Sequence, residues 1–267
     1  MILDRQTTLC ISIAARPSNI GASVHNAGYA AAGLNFIYCP RQATDAAAAI
    51  AAVRALAIRG CSVSMPFKRD VIPLLDQVSD EARIVGAVNT IVNDAGVLTG
   101  YNTDVDSVAW ALAGHGASGG RALVLGAGGM ARACITAVRR AGKEPVVACR
   151  SAAPLADLQV TTEPWASRER VPADVLINAT PVGMTPDDAS MPIPAEHLDR
   201  FTLIIDAVAM PAETRLIREA RSRGIPVVTG HDLALRQAMR QFTLYTGVAA
   251  PEAAMAAALT RVVGTVA

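Results

Sequence analysis

Short apolar runs bounded by turn residues alternate along this chain with longer stretches in which apolar and small residues recur at helical spacing, the pattern of strands alternating with helices. Residues 9–14 predict a first strand, and Arg16-Pro-Ser-Asn-Ile-Gly21 is turn chemistry leading into a small-residue helix that runs to about Gly33. Residues 34–38 predict a second strand. Thr44-Asp45 offers a cap to an alanine-rich helix ending at Gly60, and 61–65 then predicts a third strand stopped by Pro66. Runs at 87–92 and 97–101 flank Asn93-Asp-Ala-Gly96, which suits a hairpin turn, and Asn102-Thr-Asp104 opens a helix over 104–113.

The polar, glycine-rich residues 114–120 mark a crossing into a second domain. Strands expected at 121–125, 145–149, 174–178, 203–206 and 225–228 alternate there with helical segments at 129–141, near 153–158 and at 212–223, the rhythm of a doubly wound parallel sheet. Residues 232–246 and 251–264 are helical without further strands, so they are free to pack back on the first domain. The expected fold class is α/β, with one domain from 1–104 and 236–267 and the other from 105–235.

A chain of 267 residues that is 52% hydrophobic can bury the cores of two modest domains. The net charge of +1 and the lack of a long basic run leave no electrostatic footprint for nucleic acid or an anionic membrane, which points to a small-molecule partner. Five cysteines, an odd number widely spaced in or beside apolar runs, read as reduced thiols and not as a disulfide framework or a zinc site, so no metal is expected. Charge arrives at once in Met1-Ile-Leu-Asp-Arg5, and no apolar run is long enough to span a bilayer, so a cytoplasmic protein is expected. Monomer and homodimer both stay open.

The most legible motif is Arg121-Ala-Leu-Val-Leu-Gly-Ala-Gly-Gly-Met-Ala-Arg-Ala133. Gly126, Gly128 and Ala131 fit the spacing in which a first glycine makes the strand-to-helix turn, a second admits a pyrophosphate and a last small residue packs helix on strand. Phosphate would face the free N–H groups and positive dipole end of the helix entered through Ala127, Gly129 and Met130. The same spacing also occurs in α/β proteins that bind no nucleotide. At the end of the next strand, where a carboxylate would hold a ribose 2′-hydroxyl, the chain reads Ala148-Cys-Arg-Ser151. Arg150 and Ser151 suit a 2′-phosphate instead, which favours NADP while leaving NAD possible. A solvated arginine at a strand end is the plainer alternative.

Reduction of a carbonyl also needs a proton donor. Lys68, in Val63-Ser-Met-Pro-Phe-Lys68, follows the third strand at its carboxyl end, where α/β sheets place their ligands, and Asp104 begins a helix after another strand. The two suit a proton donor and its orienting carboxylate. Spacing alone equally allows a surface lysine and a helix cap.

Together these residues resemble the shikimate dehydrogenase family. The match runs through His25-Asn26, Gly33-Leu-Asn35, Gly60, Val63 to Lys68, Ala87-Val-Asn-Thr90, Asn102-Thr-Asp104, Gly126-Ala-Gly-Gly129, Asn178-Ala-Thr-Pro-Val-Gly-Met184, Asp206, Pro211, Thr214 and Gln237-Ala238. The resemblance implies an amino-terminal α/β substrate domain, a Rossmann-type NADP domain and carboxy-terminal helices returning to the first. It further implies Lys68 and Asp104 as the catalytic pair, and Asn89, Asp104 and Gln237 as binders of substrate ring hydroxyls. Ser64 stands in place of a usual threonine, and Thr180 and Gly230 join the cofactor contacts.

Departures concentrate at the acidic end of the implied substrate. The family's two amino-terminal serines are Asn19 and Gly21 here, an expected tyrosine is Ala209, an expected asparagine is Ser62, and a second basic cofactor contact is Pro154. Asn19 is retained as a substrate contact, and Arg16 is the candidate replacement for the carboxylate, since guanidinium fits carboxylate bidentately. A surface role for Arg16 stays open. The expected activity is reversible, NADP-dependent reduction of 3-dehydroshikimate or a related cyclic polyol carboxylate. The alternatives are a quinate or aminoshikimate-type dehydrogenase, or a dinucleotide-binding sensor without efficient catalysis.

Overall fold

The computed structural model describes residues 3–115 and 120–264, so the centre of the glycine-rich crossing at 114–120 lies outside the described residues. These form two compact units, one built from the chain up to Thr103 and from Leu235 onward, the other from Asp104–Ala234.

In the first unit, β1 (Thr8–Ala14), α1 (Ile20–Ala31), β2 (Phe36–Gln42), α2 (Ala46–Ala55) and β3 (Gly60–Val63) make the expected β-α-β-α-β start. β2 and β3 flank β1 in parallel, and the hairpin β5 (Thr90–Asp94) and β6 (Val97–Tyr101) adds antiparallel to β3. Its two-residue turn holds Ala95 at φ 51° and Gly96 at φ 95°, the paired left-handed backbone that matches strand twist. β4 (Gln77–Val78) completes the order β2-β1-β3-β5-β6-β4. Alternation divides β1 between two cores: Ile11 and Ile13 pack with Ile50 and Val53 of α2, while Cys10 faces the opposite side with Val24 and Tyr29 of α1. Phe242 and Tyr245 of α7 (Gly230–Thr246) and Met255 and Leu259 of α8 (Glu252–Gly264) close that second core, so the carboxy-terminal helices do return to this unit.

Among the departures from expectation, which include β5 starting at Thr90 and not at residue 87 and the helix expected at 212–223 starting at Arg215, three have a local cause. α2 ends at Ala55 instead of Gly60, because Ala57 adopts φ 47° and the N–H groups of Ala57 and Ile58 return to the carbonyls of Arg54 and Val53. That is a Schellman closure with alanine where glycine is usual, so the stop signal is missing from the sequence. Gly60 instead opens β3. β2 starts two residues later than expected and runs on through Pro40, tolerated because β2 is an edge strand. Residues 153–158 form a 3-10 turn in place of a regular helix, with Pro154 in its first turn.

The structure adds α3 (Asp80–Val85), whose Ser79 cap accepts from the Ala82 N–H and whose C-terminal Gly86 is left-handed at φ 68°. In the second unit β7 (Arg121–Leu125), α5 (Gly129–Arg140), β8 (Glu144–Cys149), β9 (Thr161–Pro164), β10 (Val175–Asn178), β11 (Leu203–Asp206), α6 (Arg215–Ser222) and β12 (Val227–Val228) follow α4 (Thr103–Gly114). β9 was not expected, since this largely exposed edge strand has no apolar run. All strands are parallel in the order β12-β11-β10-β7-β8-β9. The order reverses direction between β7 and β10, and a crevice at such a switch point is where doubly wound sheets bind ligands.

Candidate active site

The β7–β10 switch point in the second unit opens into a cleft of about 590 Å³. Its floor is the turn Gly126-Ala127-Gly128. Gly126 sits at φ 109°, and a Cβ there would press on the Ala179 carbonyl and Thr180, so the turn requires glycine. No side chain caps α5 at Gly128, and nothing lies within 4 Å of a Cβ placed on Gly128 or Gly129. The N–H groups and positive dipole of a twelve-residue helix therefore face open space, the arrangement that receives a pyrophosphate.

Arg150 and Ser151 form the exposed rim beyond β8, with Trp165 at the end of β9 beside them. The loop that carries the rim is pinned from below. Arg132 on α5 donates to the Pro154 carbonyl at 2.9 Å and bidentately to Asp157 at 2.7 Å for both contacts. The opposite wall is fixed by a buried network at the ends of β10 and β11. The Asn178 amide donates to Asp206 (2.9 Å) and to the Val182 carbonyl (3.2 Å), while its oxygen accepts from the backbone and hydroxyl of Thr180 (3.1 and 2.6 Å). Thr214 donates to the second Asp206 oxygen at 2.6 Å. Burial raises the Asp206 pKa above the usual carboxylate value against the lowering pull of these hydrogen bonds. Asn178, Asp206 and Thr214 thus hold the shape of the wall.

Of the cofactor residues expected from sequence, Gly126, Ala127, Gly128, Arg150, Ser151 and Thr180 line the cleft together. Ala131 is fully buried and packs helix on strand, and Gly129 and Met130 continue the helix without lining the cleft. Gly230 is not among the residues lining the cleft and sits tight against the Val208 carbonyl and Ala209 nitrogen, where a side chain would collide with backbone. Sequence reasoning missed Trp165 and, around Thr180, the wall residues Ala179, Pro181 and Val182, although Trp165 is an aromatic at a strand end.

In the first unit Lys68 follows β3 in the turn after Pro66, half-buried, its carbonyl accepting from the Val88 N–H at 2.8 Å. Ser64 is exposed at the mouth of β3, its N–H bound to the Ile13 carbonyl at 2.9 Å. Asn89 is 4% exposed, and its side-chain oxygen accepts from Thr90 Oγ1 (2.8 Å), Thr103 N (2.9 Å) and Thr103 Oγ1 (3.2 Å). With the oxygen so saturated, the amide is oriented and its Nδ2 is the end that remains to donate. Gln241 donates to Thr90 Oγ1 at 3.0 Å and faces His25 Nε2 at 3.3 Å, extending the buried chain to α1. Burial lowers the His25 pKa from 6.5 to about 4, against the raising effect of Gln241, so the ring is neutral.

Gln237 is half-buried one turn before Gln241, whose role nothing in the sequence reading flagged. Arg16 and Asn19 are exposed in the turn before α1, where Asn19 occupies the cap position without a side-chain cap bond. Asp104, in the first turn of α4 and the first residue of the second unit, is 4% exposed. Among the described residues, no His, Cys, Asp and Glu cluster is arranged to hold a metal ion, and no helix is long and apolar enough to cross a membrane.

The family model described as the shikimate dehydrogenase substrate-binding domain matches residues 18–91. A shikimate dehydrogenase-like protein of Haemophilus influenzae is 38% identical over 251 residues, covering 92% of this chain and 93% of that protein. A solved shikimate 5-dehydrogenase-like protein, 36% identical, superposes with a TM-score of 0.91 over 97% of this chain and 98% of its own. The Thermus thermophilus shikimate 5-dehydrogenase, solved in complex with NADP(H) and shikimate, is 31% identical and gives a TM-score of 0.85 over 96% of this chain and 99% of that one. With a relative 38% identical over 92% of its length and a solved structure superposing at a TM-score of 0.91 over 97% of it, the chain belongs to the shikimate dehydrogenase family.

Proposed function

We propose that this chain is an NADP-dependent alcohol dehydrogenase that reversibly reduces 3-dehydroshikimate or a closely related cyclic polyol carboxylate. The observation that carries the reading is the switch-point cleft, where a glycine turn and an uncapped helix N-terminus meet a rim bearing Arg150 and Ser151 in place of a carboxylate. Gly126 to Ala131 and Thr180 fit a pyrophosphate and its flanking ribose, and Arg150 with Ser151 fits a 2′-phosphate. Gly230 is a further cofactor contact, its backbone packed closely on Val208 and Ala209. The bound cofactor supplies the hydride chemistry.

Lys68 Nζ delivers the proton to the substrate oxygen during reduction and withdraws it during oxidation, with Asp104 as the carboxylate that orients it. Asn89 donates from Nδ2 to a ring hydroxyl, supported by the saturation of its oxygen. Ser64, Gln237 and Asn19 are further hydroxyl or carboxylate contacts, and Arg16 pairs with the carboxylate by charge. The free thiols suit a cytoplasmic location.

The test is the absorbance of reduced nicotinamide, followed with NADP⁺ and NAD⁺ against shikimate, quinate and an aminoshikimate. Turnover of shikimate with a preference for NADP⁺ is the expected result. Quinate as the better substrate would reassign the substrate, and no turnover with any acid would leave a dinucleotide-binding sensor.

A further inference from the structure

The pair His25-Asn26 has no part in the chemistry above, yet both side chains converge on one residue. Asn26 Oδ1 accepts from the Tyr38 N–H at 2.8 Å and Asn26 Nδ2 donates to the Tyr38 carbonyl at 3.0 Å, so one amide holds both backbone polar groups of Tyr38 along one edge of β2. The His25 ring stacks on the Tyr38 ring with centroids 4.5 Å apart and planes within 6°. A tyrosine held by its backbone and by one ring face has its hydroxyl placed with little freedom left.

That hydroxyl points to the place where the chain lacks a side chain. A Cβ built on Gly21, one of the two positions where the family's serines are missing, would meet Tyr38 Oη at 3.4 Å. Ser12 and Ser62, partners in register on β1 and β3, interact with the same hydroxyl, and both are half-buried. Thr90 is the partner of Ser62 on β5 and shares its face of the sheet. On a face otherwise covered by Val24, Phe242, Tyr245 and Met255, the hydroxyls of Ser12, Ser62 and Thr90 therefore stand in one row across β1, β3 and β5, with Tyr38 reaching them from one row back, opposite Cys10. Burial holds the Tyr38 phenol above its usual pKa, so it stays protonated and able to donate.

We infer that Tyr38, with Ser12 and Ser62, forms the hydroxyl-donor pocket for the substrate carboxylate and replaces the donor lost at Gly21, with His25 and Asn26 as its positioning residues. This rests on the proposed activity toward a cyclic acid. Arg16 can add charge at the mouth of such a pocket, but it cannot set direction as a clamped hydroxyl does.

The experiment compares wild type with Tyr38→Phe, which keeps the ring stacked on His25 and removes only the hydroxyl. Steady-state kinetics are run on shikimate and quinate and on their carboxamides, and NADPH binding is read from quenching of Trp165 fluorescence. Expected is a KM for the acid raised about ten- to a hundredfold, the scale of one hydrogen bond to a charged group. The expected kcat, NADPH affinity and KM for the carboxamide change less than threefold or so by the same reasoning. Ser62→Ala should move the acid KM in the same direction. An equal change for acid and carboxamide, or no change for either, overturns the inference while leaving the dehydrogenase reading intact. A wild type that turns over none of these acids overturns both.

Discussion

Both units are built on a six-stranded sheet, but they prepare their sites by different means. The Asp104–Ala234 unit is parallel throughout, and its cleft is made largely of backbone: a left-handed Gly126, the uncapped amides of α5 and a wall set by the Asn178–Asp206–Thr214 network. The other unit has a mixed sheet, and its candidate contacts are side chains: Lys68, Asn89, Gln237 and the hydroxyls beside Tyr38. Backbone chemistry survives most substitutions, whereas a hydroxyl or an amide is lost with one. The departures from the family pattern at Asn19, Gly21 and Ser62 in the first unit, and at Pro154 and Ala209 in the second, all fall on side chains, whereas the glycine turn keeps its spacing.

The largest expected effect strikes the side-chain unit. Lys68→Ala should lower kcat about a hundredfold or more while NADPH affinity measured by Trp165 quenching stays as in wild type. Near-normal turnover in that variant would remove Lys68 from the mechanism and blur the division between the units.

The second test uses pH. His25 is neutral when folded, with a pKa of about 4, but titrates near 6.5 when unfolded, so acidification protonates the unfolded state first. Stability contributed by the first unit should fall by about 3 kcal/mol as pH drops from 6.5 toward 4. Asp206 in the second unit has the opposite sign, because its raised pKa lets the folded state take up a proton before the unfolded state does. The chain separates the two signals: Trp110 and Trp165 both lie in the second unit, and all four tyrosines, Tyr29, Tyr38, Tyr101 and Tyr245, lie in the first. Urea midpoints followed by tyrosine ellipticity should therefore fall more steeply with acid than those followed by tryptophan fluorescence. Coincident midpoints at every pH would show that the units unfold together.

Arg150→Leu should raise the KM for NADP⁺ about thirtyfold and leave that for NAD⁺ nearly unchanged, as expected for losing one guanidinium on a phosphate. An equal loss for both cofactors would move Arg150 from the 2′-phosphate to the adenine or to the loop itself. The smallest effect is expected from Arg16→Ala, about a tenfold rise in KM for the best acidic substrate, since an exposed arginine acts through a screened charge. No change in that constant would leave the acid to the hydroxyls alone.

The order of elements was legible because period and punctuation are local. The parallel rhythm, the glycine turn and the Asp45 cap, which accepts from Ala48 at 2.7 Å, all stand within a few residues of their signals. What escaped the sequence had no local signal: the end of α2 at an alanine in left-handed backbone, the edge strand β9, and the passage of β2 through Pro40.

The sequence by itself determined the α/β class and the glycine turn at Gly126 to Ala131, since both depend on residue type and short spacing, while Lys68 stood out only through the family resemblance. Only the tertiary structure decided that Gln241 reaches Thr90 across 151 positions, or that His25 and Asn26 grip Tyr38 so that its hydroxyl stands at Gly21. Such contacts depend on strand register and on which face of a helix meets the sheet. Those are settled by burying the whole apolar surface at once, and no short stretch of the chain records them.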